Sequence, residues 1–241
     1  MKIKENLYFV NSKNRNNITV HSLYFLSKFS MKVIASILSL VLFFNVGAKA
    51  QQNQDIKNNY VKLGQKAVMD GNFKQAVTHL EKSMPAEANN ADVLYMLAYS
   101  YYHSGDYSKA ISTFGQVVSL RPNNVSAYYY RGKARNILGT QTTASNTERE
   151  KLLLAAIRDF SKAIELNNGD LKLFQNRAIA YRDYGILKGQ KLPKFYDKSA
   201  AENAFKSCID DLQHLLDATP GRKDIMDEMK KAKVYMANLD R

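Results

Sequence analysis

The feature that most constrains this chain is a period. Set against itself at an offset of 34 residues, the sequence aligns Tyr60 with Leu94 and Tyr128, Gly64 with Ala98 and Gly132, and Gly71 with Gly105 and Gly139. The same offset pairs Leu63 with Leu97, Phe73 with Tyr107, Ala76 with Ala110, and Leu80 with Phe114. Side-chain size class is kept along the series. A repeat of this length is one supersecondary unit that cannot bury its own apolar face and must stack on its neighbours.

Each unit reads as a pair of antiparallel helices. Leu94, Leu97, Ala98 and Tyr101 mark one apolar face at helical spacing, and Ala110, Phe114, Val117 and Leu120 mark another. Between them Gly105-Asp106-Tyr107 offers a glycine for positive φ at the turn. Ala98 and Ala110 stand where two helices of a hairpin must approach closely, and Arg121-Pro122 ends the second helix because proline has no N–H with which to continue it. Few helix breakers, 11 Gly and 4 Pro in 241 residues, agree with a helical chain.

These residues resemble the tetratricopeptide repeat: a first-helix aromatic followed by Leu and Gly/Ala, a turn Gly-x-Tyr, a second-helix Ala and Phe, and a closing Pro. Tyr60, Leu94, Tyr128 and Phe174 occupy the position where that family often has Trp, and the chain has no Trp at all. The best single match joins Tyr128-Tyr129-Tyr130-Arg131-Gly132 to the stretch from Ala156 to Leu166. The resemblance covers Lys57 to Leu216 and implies an all-α, right-handed α-solenoid of about four helix-turn-helix units. These are residues 57–90, 91–124, 125–170 and 171–219, with 220–241 as a C-terminal capping helix.

Two units depart from the period. In the third, Ala156, Phe160 and Leu166 follow Ala110, Phe114 and Leu120 at an offset of 46, so 12 extra residues lie around Thr140 to Lys151, where the sequence is polar and lacks apolar periodicity. Thr147-Glu148-Arg149-Glu150 then reads as a capping box. In the fourth, Phe174, Ala178 and Gly185 keep the offset of 46, the second helix takes the register Ala201, Phe205 and Cys208, and Ser199-x-x-Glu202 reads as a second capping box. Both inserts are expected to form loops at one edge of the solenoid, either simply solvated or serving to bind. After Pro220-Gly221, Ile225, Met229, Ala232, Met236 and Leu239 form the stripe of an amphipathic helix, placed either to cap the last unit or to meet a partner.

Upstream of the repeats, Met31-Lys32 precedes an apolar run from Val33 to Val46, and Gly47-Ala48-Lys49-Ala50 follows it. That is the order of a secretory signal peptide, residues 31–50, and the run is short for a membrane span of about 20 residues. Cleavage is expected to leave Gln51 first, with residues 1–30 a disordered extension or the product of a start assigned too early. The expected location is the periplasm of a Gram-negative-type bacterium or the medium, with no stable membrane anchor after cleavage. The net charge of +13 invites a nucleic-acid reading. Without residues 1–50, however, 28 Lys/Arg stand against 21 Asp/Glu, and export removes the chain from nucleic acid.

A search for chemistry finds no constellation. His79, His103 and His214 fall in three different units, none at the spacing of a helical metal site. Cys208 lies among Ala201, Phe205, Leu212 and Leu215 on an apolar face, as a packed thiol would, and Asp210-Asp211 reads as a solvated acidic pair. There is no Gly-rich phosphate loop and no Gly-x-Ser-x-Gly elbow. No catalytic residue, cofactor or metal is expected.

What remains is a surface. In the family, first helices line a concave groove, and Tyr95, Tyr99 and Tyr102 form a stripe that stacking should place there. Their equivalents are Val61, Gln65 and Val68; Tyr129, Lys133 and Asn136; and Gln175, Ile179 and Arg182. The candidate partner-binding set is therefore Tyr95, Tyr99, Tyr102, Tyr129, Lys133 and Arg182, suited to an extended peptide, unless the tyrosines serve only to pack neighbouring first helices. The family's chaperone-tail clamp, a Lys with an Asn four residues on, is not matched: Val61 and Gln65 hold one such pair of positions, Tyr95 and Tyr99 the other. The leading expectation is an exported, non-enzymatic interaction module or scaffold for a protein or peptide. The alternatives are a binder of anionic envelope polymers or lipid headgroups through a basic loop of Lys188, Lys191, Lys194 and Lys198, and an enzyme with a site hidden in the inserts.

Overall fold

Short polar side chains start the first helix of each later unit. Asn90 Oδ1 accepts hydrogen bonds from the N–H groups of Asp92 and Val93 at 3.1 and 3.4 Å, Asn124 from Ala127 at 2.9 Å, and Asp170 from Lys172 at 3.0 Å. Each cap satisfies a backbone donor that the helix leaves open, a contribution of about 1 kcal/mol. A computed structural model describes residues 59–141 and 143–240, and among them it holds nine α-helices and no strand. The first hairpins are α1 (59–69) with α2 (Phe73–Glu87), and α3 (Ala91–Ser104) with α4 (Tyr107–Leu120). Then come α5 (Val125–Thr140) with α6 (Asn146–Leu166), α7 (Leu171–Lys188) with α8 (Lys198–Ala218), the single helix α9 (Lys223–Ala237), and a 3-10 turn, Asn238–Asp240. The signal segment and the extension expected within residues 1–50 lie outside the described residues.

Consecutive helices pack on one another, and α5 also touches both α3 and α7, so the first helices of successive units lie side by side. In the second unit Leu94, Leu97, Ala98 and Tyr101 bury against Ala110, Phe114 and Val117 as the two stripes predict, but Leu120, the last residue of α4, is 44% exposed rather than buried. At the turn Gly105 takes φ 88°, and the N–H of Asp106 reaches back to the Tyr101 carbonyl at 2.9 Å. A side chain would strain that conformation. The described residues form an all-helical solenoid of the tetratricopeptide type.

The insert of the third unit is largely helix rather than an edge loop, whereas the fourth unit keeps a non-helical connection over residues 189–197. Compared with the second unit, two of the 12 extra residues of the third lengthen α5, three lengthen the turn, and seven start α6 early, so that only 141–145 separate the helices. Ser145, not Thr147, caps α6, accepting from the N–H of Glu148 at 3.2 Å. Asp197, not Ser199, caps α8, accepting from Ala200 at 2.9 Å. In both cases the helix begins earlier than the box expected from sequence. Because α5 runs on to Thr140, Gly139 is helical rather than a turn glycine with positive φ, and its role changes: a Cβ there would stand 2.7 Å from Leu153 Cγ.

The fourth unit repeats the third with six further residues, two in α7 and four in the connection that follows it. At an offset of 52, α6 and α8 match end to end, 21 residues each, with Ser145 answering to Asp197. Leu153 under Gly139 becomes Phe205 under Gly185, where a Cβ would meet the phenyl ring at 2.9 Å. The register of the repeat core in α8 is therefore Cys208, Leu212 and Leu215, two turns beyond the expected Ala201, Phe205 and Cys208. Ala201 and Phe205 belong instead to the added turns, where they cluster with Leu239. The shift also relocates Asp211, which is buried and ion-paired rather than solvated: Arg177 donates to it through Nε and Nη2 at 2.9 and 2.7 Å. Asp159, its counterpart, takes Arg131 at 3.0 and 2.7 Å and Arg135 at 2.6 Å. Beyond Gly221, α9 lays Ile225, Met229 and Ala232 into the same cluster as Leu212 and Leu215.

Candidate functional site

The face built from α3, α5 and α7 carries the residues singled out in the sequence, and the structure divides them into two groups. The first is aromatic. Tyr95 stacks on Tyr99 with ring centres 6.3 Å apart, and Tyr99 and Tyr102 meet the ring of Tyr130 edge-on at 5.1 and 5.3 Å. Tyr129 joins from the same helix at 5.1 Å. Lys133, one turn further along α5, lays its amino group over Tyr102 and Tyr129 at 5.5 and 5.4 Å. The four tyrosines of the expected set are half-buried, with part of each ring left to solvent. Tyr95, Tyr99, Tyr102, Tyr129 and Lys133 are thus brought together.

The hub of this cluster was not in the expected set. Tyr130 joins α3 to α5 and stacks on Phe114 of α4 at 6.0 Å, while His103 packs on Tyr99 at 4.3 Å and on Phe73 at 4.5 Å. The signal available was the run Tyr128-Tyr129-Tyr130: three consecutive aromatics on a helix point three ways, so one had to face the neighbouring unit. Burial shifts the ionisation of the group. It raises the phenol pKa of Tyr95, Tyr102 and Tyr130, with neighbouring phenols adding to the rise. Burial and then the Lys133 charge lower His103 below the usual imidazole range, which favours the neutral ring.

Arg182 belongs to the second group, which is ionic. Its Nη1 donates to Glu228 of α9 at 2.6 Å, and its Nε and Nη2 donate to Asp183 at 3.1 and 2.9 Å. Asp183 also accepts from Asn136 at 2.9 Å, tying α5 to α7. Below Arg182 lies a cavity of about 260 Å³ between α7, α8 and α9, lined in part by Gln175 and Ile179 of the same face. Cys208 is on its floor, and burial pushes that thiol up to about 12.

The four lysines of the expected basic loop do not form one patch. Lys188 is the last residue of α7, buried, paired with Glu150 at 3.4 Å and set 4.3 Å from the centre of the Phe195 ring. Lys198 opens α8 and is bound by Glu202 and Asp240. Lys191 and Lys194 alone of the four stand exposed in the connecting segment. Among the described residues no group of three His, Cys, Asp or Glu stands close enough to hold a metal ion, and no helix is long and apolar enough to cross a membrane.

The fold of the described residues is a helical-repeat architecture of the tetratricopeptide type. Residues 69–139 match the model of the family described as anaphase-promoting complex, cyclosome, subunit 3. Over 91 residues the chain is 35% identical to interferon-induced protein with tetratricopeptide repeats 2 of Cricetulus griseus, a match covering 36% of this chain and 19% of that protein. Over 122 residues it is 27% identical to photosystem I assembly protein Ycf3 of Acaryochloris marina, covering 48% of this chain and 74% of that one. The crystal structure of a tetratricopeptide repeat protein from Parabacteroides merdae superposes with a TM-score of 0.52 at 17% identity, over 75% of this chain and 59% of the other. The chain therefore spans about a fifth of the Cricetulus relative.

Proposed function

We propose that the chain is an exported, non-enzymatic interaction module whose concave face holds a protein or peptide partner in the periplasm of a Gram-negative-type bacterium or outside the cell. One observation carries the reading: Tyr95, Tyr99, Tyr102 and Tyr129 are gathered round Tyr130 with ring surface left open, and Lys133 lies across two of them. Tyrosine presents a large apolar face at small entropic cost and a phenol that can donate or accept, the combination an extended peptide requires. Export is supported by Met31-Lys32, the apolar run to Val46 and the small-x-small residues that end at Ala50. Unlike this aromatic face, the Lys188 to Lys198 segment has two of its four lysines already neutralised by carboxylates, which favours the peptide reading over the polyanion one.

The test is a photoreactive side chain placed at Tyr99 in living cells, followed by fractionation and N-terminal sequencing of the adduct. The reading expects a discrete protein adduct in the exported fraction on a chain that begins at Gln51. An adduct confined to the cytoplasm would remove the export half of the proposal, and adducts with nucleic acid or lipid alone would remove the other half.

A further inference from the structure

The cavity between α7, α8 and α9 has no part in the aromatic cluster, but Gln175, Ile179 and Arg182 of its lining come from α7, the first helix of the fourth unit. Its walls are apolar: Ile179 from α7, Cys208 and Leu212 from α8, and Ile225 from α9. At about 260 Å³ it exceeds the engineered apolar cavities of about 150 Å³ that take up benzene. Its polar lining is balanced in charge. Arg182 is held by Glu228 and Asp183, and Glu228 by Arg182 and by Lys231 at 2.8 Å, so the rim offers neither a free cation nor a free carboxylate. Gln175 adds an uncharged donor and acceptor. Such a rim repels neither sign of charge but rewards neither, whereas a neutral amide can donate to Glu228 and accept from Gln175 or Arg182.

We infer that this cavity is a side-chain subsite that takes one large, uncharged aliphatic residue of a bound polypeptide, leucine-like in size, while the residue's flanking amides meet Gln175, Arg182 and Glu228. The inference deepens the peptide reading of the concave face and rests on it for the identity of the ligand as polypeptide. The pocket is made in part by α9, whose Ile225 and Glu228 join the lining from α7 and α8. The terminal helix then has a second task beside covering Leu212 and Leu215: it converts the last stretch of an open groove into a walled pocket that fixes the register of the occupant.

The test uses the full chain, carbon-13 labelled at Ile and Leu methyl groups, titrated with N-acetyl-leucine methylamide and, separately, with the glycine and aspartate analogues. Saturable shifts are expected at Ile179, Leu212 and Ile225 and not at Ile111 in the second unit. The leucine amide should bind about tenfold or more tighter than the glycine amide, which lacks the buried side chain, and the aspartate amide should not saturate. Ile179→Trp, which crowds the pocket from a half-buried position, should abolish these shifts while leaving the spectrum folded, and Arg158→Ala, exposed on α6, should leave them unchanged. Absence of saturation at the three methyls, equal binding of the glycine and leucine amides, or shifts that survive Ile179→Trp would each overturn the subsite. Because the probes are single residues, this result is separate from the fate of the concave-face reading, which Tyr99 tests.

Discussion

Arg177 clasps Asp211 through two parallel hydrogen bonds, at 2.9 and 2.7 Å, with the carboxylate almost wholly removed from solvent. The same guanidinium donates to Ser161 of the preceding unit at 3.1 Å, so one side chain joins α7 both to α8 and back to α6. Removing one partner of such a pair strands the other, which costs more than the pair itself contributes. Asp211→Ala is therefore expected to destabilise the fold by about 3 kcal/mol or more. The double substitution Arg177→Met, Asp211→Leu should cost clearly less. Guanidinium unfolding of the three proteins checks this, and a single variant no worse than the double would contradict it.

Two glycines can be told apart by what replaces their hydrogen. Gly185 lies inside α7 with a helical backbone, and a methyl group there would press on the Phe205 ring at 2.9 to 3.0 Å. Gly185→Ala should therefore destabilise by about 1–3 kcal/mol despite the better helix propensity of alanine. At Gly105 nothing lies within 4 Å, but φ is 88°, so Gly105→Ala should cost about 1–2 kcal/mol through the backbone alone. The smaller Phe205→Leu should relieve the first substitution and leave the second untouched, which thermal unfolding of the double variants resolves.

The Cys208 thiol offers a chemical measure of the same packing. Its ordinary value of 9.0 is pushed up to about 12, chiefly by burial. At pH 8 the native protein should then hold about a thousandth of the thiolate of an open cysteine, and iodoacetamide should modify it at least 100-fold more slowly than the unfolded chain. Equal rates would place the thiol in water. By the same shift the group favours the folded state most below pH 9.0 and ceases to do so as pH rises toward 12.

His103 gives the opposite sign. Its pKa is lowered from 6.5 by burial and then by Lys133, so the fold prefers the neutral ring. The preference is fully expressed above pH 6.5 and is lost as pH falls through the depressed value, because the unfolded chain takes up the proton first. Stability should thus fall more between pH 7.5 and 5 in the parent than in His103→Gln. Parallel pH profiles of the urea midpoint would contradict the assignment.

The offset of 34 was enough to read α1 to α4, because in those units turn, close approach and core each recur at one spacing. It failed where helices lengthen. The polar surface of the first turns of α6 hides the buried Leu153 beneath Gly139, so apolar periodicity over a few residues could not separate helix from loop. The error in the fourth unit came from size: Phe205 looks like the repeat's second-helix aromatic, whereas Leu212 fills that position. Charge carried the correct register, since Arg131 and Arg177 are 46 apart, Asp159 and Asp211 are 52 apart, and each carboxylate directly precedes its core residue, Phe160 or Leu212. Of the site, the α3 stripe was legible from helical spacing taken with the family resemblance, which puts first helices on the groove. Tyr130 and Glu228 were not, because each enters through contact with a different helix pair.

If the aromatic face holds the partner, the affinity of the protein captured at Tyr99 depends on its tyrosines, which measurement for the parent, Tyr102→Ala and Arg158→Ala decides, Arg158 being exposed on α6. The account expects Tyr102→Ala to weaken binding by about 1–3 kcal/mol, roughly 5- to 150-fold, with helicity retained, and Arg158→Ala to leave it unchanged. Equal affinity for the parent and Tyr102→Ala, with both proteins folded, would contradict it.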